Sequence, residues 1–185
     1  RIIDVSVPTS PIETGFVATP GSAYGVAVSG SYAYLADDEA GLRLIDISSP
    51  SNPFEAGFVD TPGEARGVAV SGGYAYVADG NAGLRIIDVH DPTTPRAVWA
   101  SGATGNANEV YVTGGRAYLA DGPRLLTFAV TYPRAVVATG AIDTPWNAVQ
   151  NHSHSERGKP IHSSTTEAGT GTVKSSTRSH APRSI

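Results

Sequence analysis

The sequence predicts an all-β protein, a fragment of a β-propeller made of four-stranded antiparallel blades. Three observations predict it. First, one segment is written three times: RIIDV at 1–5, LRLIDI at 42–47 and LRIIDV at 84–89, so that Arg1, Arg43 and Arg85 stand 42 residues apart. A fixed period of that length marks stacked copies of one supersecondary unit. Second, β-branched and aromatic residues fall at every other position within the copies, the spacing that turns one face of a strand into a core. Third, Gly, Pro, Asn, Asp and Ser gather between these runs, where turns need a positive or preset φ. No apolar stripe at helical spacing runs before residue 150.

The elements follow in order. A partial blade spans 1–19, with RIIDV as its third strand and IETGFVAT as its fourth. In the next three copies the first strand is GVAV (25–28, 67–70) or EVYV (109–112). A Ser-Gly or Thr-Gly-Gly turn leads to the second strand, YAYLAD (32–37), YAYVAD (74–79) or RAYLAD (116–121). A short loop then leads to the third strand, LRLIDI, LRIIDV or RLLTFAV. In this reading Arg124 is the counterpart of Arg85, 39 residues on, and Thr127 replaces the aspartate of the IID motif. A Pro-rich turn, SSPSNP or HDPTTP, leads to the fourth strand at 54–60, 96–102 or 134–140. The predicted blades are therefore 24–60, 66–102 and 108–140, and 143–150 opens another. Four strands in about 40–45 residues is the unit of a propeller blade.

The LR[LI]ID[VI] strand, the YAYVAD strand and the Pro-rich turn resemble the LVIVD-repeat family of bacterial and archaeal proteins, many of them extracellular or at the cell surface. The resemblance covers residues 1 to about 150. It implies a propeller and an extracellular or cell-surface location. It implies no particular reaction, because a propeller hosts many functions.

Composition narrows the classes. Cysteine is absent, so there is neither a disulfide framework nor thiol chemistry. No run approaches the roughly 18 apolar residues of a membrane span. Residues 1–150 hold eight arginines, no lysine and fifteen acidic residues. An acidic propeller is a poor match for a phosphate backbone, so no nucleic-acid partner is expected. Residues 151–185 change character: thirteen of the 35 are Ser or Thr, and both lysines and four of the five histidines lie there. Such a stretch cannot fill a core, and disorder is expected. The change falls in mid-repeat, which suggests a shifted reading frame or a Ser/Thr-rich stalk. The start inside a third strand suggests a piece of a longer propeller. Alternatively, the terminal strands join in one composite blade and close a four-bladed ring. An open arc leaves strand edges that favour self-association.

Candidate sites are weighed residue by residue. His152, His154 and His162 match no structural zinc spacing, and no metal or cofactor is expected. Asp37, Asp79 and Asp121 end each second strand. Their recurrence in every blade points to a structural role, accepting backbone N–H groups in the loop before the third strand, rather than to a Ca²⁺ site. Asp4, Asp46 and Asp88, with Asp91, are expected to cap the Pro-rich turns. Arg43 and Arg85 are expected to pair with a neighbouring blade's carboxylates. Tyr32, Tyr34, Tyr74, Tyr76 and Tyr118 are expected to pack between blades. No nucleophile elbow, phosphate loop or dinucleotide fingerprint occurs, and no catalytic residue is assigned.

The strongest functional signal is where the copies differ. Just before each first strand the variable position holds Tyr24, Arg66, Asn108 and Asn147. Variable side chains on one rim of a rigid scaffold are what recognition of a protein or carbohydrate ligand needs. A non-catalytic binding module is therefore the first reading. A hydrolase or lyase with carboxylates such as Glu64 and Glu109 at the channel mouth is the second. A fragment without independent function is the third.

Overall fold

The computed structural model describes residues 1–131 and 133–144. Fourteen strands are found in them, and no helix. Strands β1 (Ile2–Asp4) and β2 (Ile12–Gly15) form a two-stranded antiparallel sheet. Blade 1 comprises β3 (Gly25–Ser29), β4 (Tyr32–Ala36), β5 (Leu42–Asp46) and β6 (Phe54–Val59). Blade 2 comprises β7 (Ala65–Ser71), β8 (Tyr74–Asp79), β9 (Leu84–Asp88) and β10 (Arg96–Ala100). Blade 3 comprises β11 (Ala107–Thr113), β12 (Arg116–Asp121), β13 (Arg124–Ala129) and β14 (Val137–Asp143). Each blade is a four-stranded antiparallel meander in chain order. The blades are those of a β-propeller, and β1 and β2 match the third and fourth strands of a blade.

The repeat is kept down to its irregularities. The fourth strand carries an extra residue against the third at Thr14, Ala56, Val98 and Thr139. A bulge of this kind bends a strand and increases its twist. At the opposite edge, β7 and β11 carry bulges at Arg66 and Asn108.

The third copy departs from its expected alignment. Leu126, not Arg124, lies opposite Leu119 as Arg85 lies opposite Val77. The counterpart of Asp88 is therefore Ala129, and Thr127 takes the place of Ile86. The fourth strand begins at Val137 rather than at Arg134. The likeness of RAV at 134–136 to RAV at 96–98 is misleading, because burial sets the register: Phe128 and Val130 fill the core as Ile87 and Val89 do. The inner strands β7 and β11 also begin two residues earlier than the alternating pattern suggested.

Packing between blades follows one rule. One face of blade 1 offers Tyr34, Ala36, Leu42 and Leu44, with Tyr32 at its margin, against Val68, Ala75, Val77, Ile87 and Val89 of blade 2. The far face of blade 2 repeats this with Tyr76, Ala78, Leu84 and Ile86 against Val110, Ala117, Leu119, Phe128 and Val130 of blade 3. Large aromatic side chains thus meet small and branched ones, which fills the wedge between twisted sheets. Tyr32, Tyr34, Tyr74 and Tyr76 pack between blades as their alternation predicted, whereas the half-buried Tyr118 belongs to neither of these clusters. Burial raises the Tyr34 and Tyr76 hydroxyl pKa above the ordinary phenol value.

Two glycines mark where backbones meet. A side chain at Gly57 in β6 would collide with the Pro92 carbonyl and stand 3.0 Å from Pro95 Cδ in the turn of blade 2. One at Gly25 in β3 would stand 2.7 Å from the Arg66 carbonyl oxygen of the next inner strand.

Candidate functional site

At one end of the blades, the loops approaching the first strands meet the loops between second and third strands. Asp37, Asp79 and Asp121 are fully buried there. Each accepts a hydrogen bond from a threonine hydroxyl of the approach loop: Thr19 at 2.7 Å, Thr61 at 2.5 Å and Thr104 at 3.1 Å. Each also accepts a backbone N–H, from Gly21 at 2.9 Å, Gly63 at 3.2 Å and Asn106 at 2.7 Å. The structural role is as expected, but the loop is not. These carboxylates hold the loop before the first strand, 15 to 18 residues back, instead of the one after it.

The blades are also stitched to each other at this end. Asp38 exchanges two backbone hydrogen bonds with Ala65, both 2.9 Å, and Gly80 exchanges two with Ala107, at 3.1 and 2.9 Å. On one side of each exchange the residue lies in the left-handed region, Asp38 at φ 57° and Gly80 at φ 52°. Glycine adopts that backbone freely, and a short polar residue such as aspartate tolerates it. The approach loops of blades 2 and 3 are therefore pinned from both sides, while that of blade 1 is held by Asp37 and by the Tyr24 amide, which donates to the Ala36 carbonyl at 2.9 Å.

Tyr24, Arg66 and Asn108 all occupy this rim. Tyr24 is 66% exposed. Arg66 and Asn108 lie on the bulges of β7 and β11 instead of in the loops before them. A bulge re-aims a side chain, and such irregularities gather beside functional sites. The Arg66 guanidinium donates to Asn108 Oδ1 across the blade boundary at 2.8 Å and pairs with Glu64. Asn108 in turn donates from Nδ2 to the Asn106 carbonyl at 2.9 Å. Glu64, Arg66 and Asn108, on two blades, thus form one polar network. Asn147 lies outside the described residues, as do the tail from residue 151 and its histidines His152, His154 and His162. Of the two carboxylates singled out by sequence, Glu64 is engaged by Arg66, and Glu109 accepts from the Val110 amide at 3.2 Å. Among the described residues, no group of three or more His, Cys, Asp or Glu is arranged to hold a metal ion.

Arg43, Arg85 and Arg124 pair within their own blade, not with a neighbour as expected of Arg43 and Arg85. Arg85 Nε donates to the buried Asp79 at 3.2 Å, and Arg124 reaches Asp121 at 2.5 Å. Arg43 turns away from Asp37. It contacts Asp60 at 3.1 Å and Glu55 at 3.6 Å, and its guanidinium lies 4.4 Å over the Phe58 ring. Its Nε is buried without a hydrogen-bond partner. A cleft of about 520 Å³ opens beside it, lined among others by Ser22, Asp38, Glu39, Arg43 and Asp60. Sequence reasoning missed this cleft. The signal was available in the repeat: Glu55, Phe58 and Asp60 stand where the next copy has Ala97, Ala100 and Gly102.

The opposite end carries the caps. Asp4, Asp46 and Asp88 accept from the backbone N–H two residues on, at 2.8, 2.8 and 3.2 Å. Asp91 accepts from the Thr93 amide and from the Thr93 and Thr94 hydroxyls. These hydrogen bonds hold the pKa of all four carboxylates below the ordinary value, and at Asp88 the His90 ring contributes most.

The profile described as LVIVD repeat matches residues 1–19, 20–61, 62–100 and 104–127. No curated protein sequence matches the chain. Among solved structures, similarity is found to a Myxococcus xanthus glutaminyl cyclase, at 22% identity over 65% of this chain and 52% of that one, with a TM-score of 0.44. The N-terminal domain of Nup159 is similar at 10% identity over 68% of this chain and 32% of that one, with a TM-score of 0.43. The chain spans about half the length of the first and a third of the second. No helix among the described residues is long and apolar enough to cross a membrane.

Proposed function

The chain belongs to the LVIVD-repeat family, and on that premise we propose that it is a non-catalytic binding module of an extracellular or cell-surface protein, recognising a protein or carbohydrate ligand through its rim. The observation that supports this reading is a fixed backbone with changing side chains. Tyr24, Arg66 and Asn108 recur 42 residues apart at one place in the fold, and no two are alike. The buried aspartates hold all three approach loops, and blade-to-blade stitches hold the residues before Arg66 and Asn108, so little conformational entropy remains to be lost on binding. An exposed tyrosine beside an arginine–asparagine network combines an aromatic face with forked donors, the pairing that dominates binding energy at many interfaces.

The test is direct. A glycan array and a panel of secreted ectodomains are screened with the full chain, and a hit is titrated against Tyr24→Ala and Arg66→Ala. Each substitution is expected to weaken binding about tenfold, the scale of truncating one contact residue. The melting temperature is expected to stay within about two degrees, because both side chains lie outside the core. Unchanged affinity for the identified ligand rejects the rim assignment.

A further inference from the structure

The repeat supplies an internal control for the arginines, and Arg43 departs from it. Arg43 and Arg85 stand at one register position, opposite Leu35 and Val77. The carboxylates beside them are held alike. The Asp37 and Asp79 amides each donate to a glycine carbonyl at 2.8 Å, and both side chains are fully buried. In blade 2 the Arg85 Nε donates to Asp79 at 3.2 Å. Blade 3 sets Arg124 on Asp121 from a different register position. Among the described residues, Asp37 pairs with no cation. Arg43 is 8% exposed, and its Nε has no acceptor. The bond that blade 2 makes is thus the one both partners lack in blade 1. The cause lies in the fourth strand. Glu55, Phe58 and Asp60 hold the Arg43 guanidinium, where blade 2 has Ala97, Ala100 and Gly102. Beside Arg43 lies the cleft of about 520 Å³, and its other charged residues, Asp38, Glu39 and Asp60, are all acidic. Asp38 and Glu39 make no ion pair among the described residues.

We propose that this cleft binds a basic side chain, an ammonium or guanidinium on a long stem, presented by a partner protein, and that Arg43 answers by moving to Asp37. The incoming cation is shared by Asp38, Glu39 and Asp60, so it competes with Arg43 for Asp60. That pair exchanges readily, because the Asp60 side chain is 69% exposed and a solvated ion pair contributes little. Arg43 then takes on Asp37 the place that Arg85 takes on Asp79. Its Nε gains an acceptor, and the buried carboxylate gains a counter-ion. A buried, charge-assisted hydrogen bond outweighs the exposed pair given up for it. Asp37 also holds the Thr19 hydroxyl and the Gly21 amide, so the same step fastens the approach loop of blade 1 as that of blade 2 is fastened. Charge selects the ligand, since a phosphate or carboxylate entering the cleft meets three like charges. This inference is independent of the rim reading, because none of Tyr24, Arg66 and Asn108 lines the cleft.

The experiment follows the arginine Nε–H signals of the full chain by proton–nitrogen NMR, with those of Arg43 and Arg85 assigned through Arg43→Lys and Arg85→Lys. The titrant is the peptide acetyl-Gly-Lys-Gly-amide, and norleucine replaces lysine in the control, at equal ionic strength. In the free chain the Arg43 signal is expected apart from that of Arg85, as an N–H without an acceptor. The lysine peptide is expected to move it saturably toward the Arg85 signal, and the norleucine peptide to leave it in place. Asp38→Asn combined with Glu39→Gln is expected to weaken the response roughly fivefold, the scale of two exposed ion pairs. A variant carrying Glu55→Ala, Phe58→Ala and Asp60→Gly is expected to show the Arg43 signal beside that of Arg85 without any peptide. All three residues are exposed, and their replacements are those that blade 2 carries, so this variant folds as the parent does. The proposal is overturned by no movement with the lysine peptide, by equal movement with the norleucine peptide, by an undiminished response in the Asp38 and Glu39 variant, by an unmoved Arg43 signal in the triple variant, or by an Arg43 signal that already matches Arg85 in the free chain.

Discussion

At the scale of single residues, the buried aspartates show how one motif is used with and without a counter-ion. Asp37, Asp79 and Asp121 share the threonine hydroxyl and the backbone N–H. Only Asp79 and Asp121 also hold an arginine. Removing one partner of a buried ion pair costs more than removing a hydrogen-bonded group, because a charge is left behind. Asp79→Ala is therefore expected to lower unfolding free energy by about 3 kcal/mol or more, and Asp37→Ala by about 1–2 kcal/mol. Urea denaturation of the two variants checks the order, and an equal loss rejects it. The recurring aspartates were legible as structural from sequence, since a residue present in every copy serves the fold of every copy. Their partners were not legible. The partner loop lies 15 to 18 residues back, and only the meander brings it to the same end of the blade.

At the scale of elements, the Pro-rich turn carries the same aspartate cap in blades 1 and 2, and its chemistry predicts a pH response. Asp46 and Asp88 each accept the amide two residues on, and Asp91 accepts three bonds from Thr93 and Thr94. Folding lowers the pKa of all three below the ordinary 3.8. A group depressed on folding contributes stability above its unfolded pKa and loses it as pH falls through the folded value. The turns are thus at full strength at neutral pH, and stability is expected to decline below about pH 4. Thermal melts across an acidic series check this: Asp46→Asn and Asp88→Asn are expected to melt lower at neutral pH and to show a shallower acid decline. A parallel decline in parent and variants rejects the assignment. Blade 3 has Ala129 at this position and lacks the device. That difference is hidden in the sequence, where the RAV likeness draws the alignment three residues out of register at the fourth strand. The buried pair Phe128 and Val130 corrects it, because a strand shifted out of register turns its apolar face to water.

At the scale of the whole molecule, each blade touches only its neighbours, so stability is distributed as in a repeat protein. Blade 2 is covered on both faces, with β8 almost wholly buried and β9 buried or half-buried throughout, whereas every residue of β14 is exposed. The slowest amide exchange is accordingly expected in β8 and β9, with faster exchange in β3 and β14. Hydrogen exchange read by mass spectrometry checks it, and uniform protection across the three blades would show a different distribution of stability. The sequence by itself determined the all-β class, the four-strand blade and its 42-residue period, because period, alternation and turn chemistry are local properties written in adjacent residues. Only the tertiary structure decided which carboxylate holds which loop, where each arginine turns, and how Arg66 and Asn108 join across a blade boundary. Those outcomes depend on distances between residues far apart in the chain, which are set by the twist and stacking of the blades.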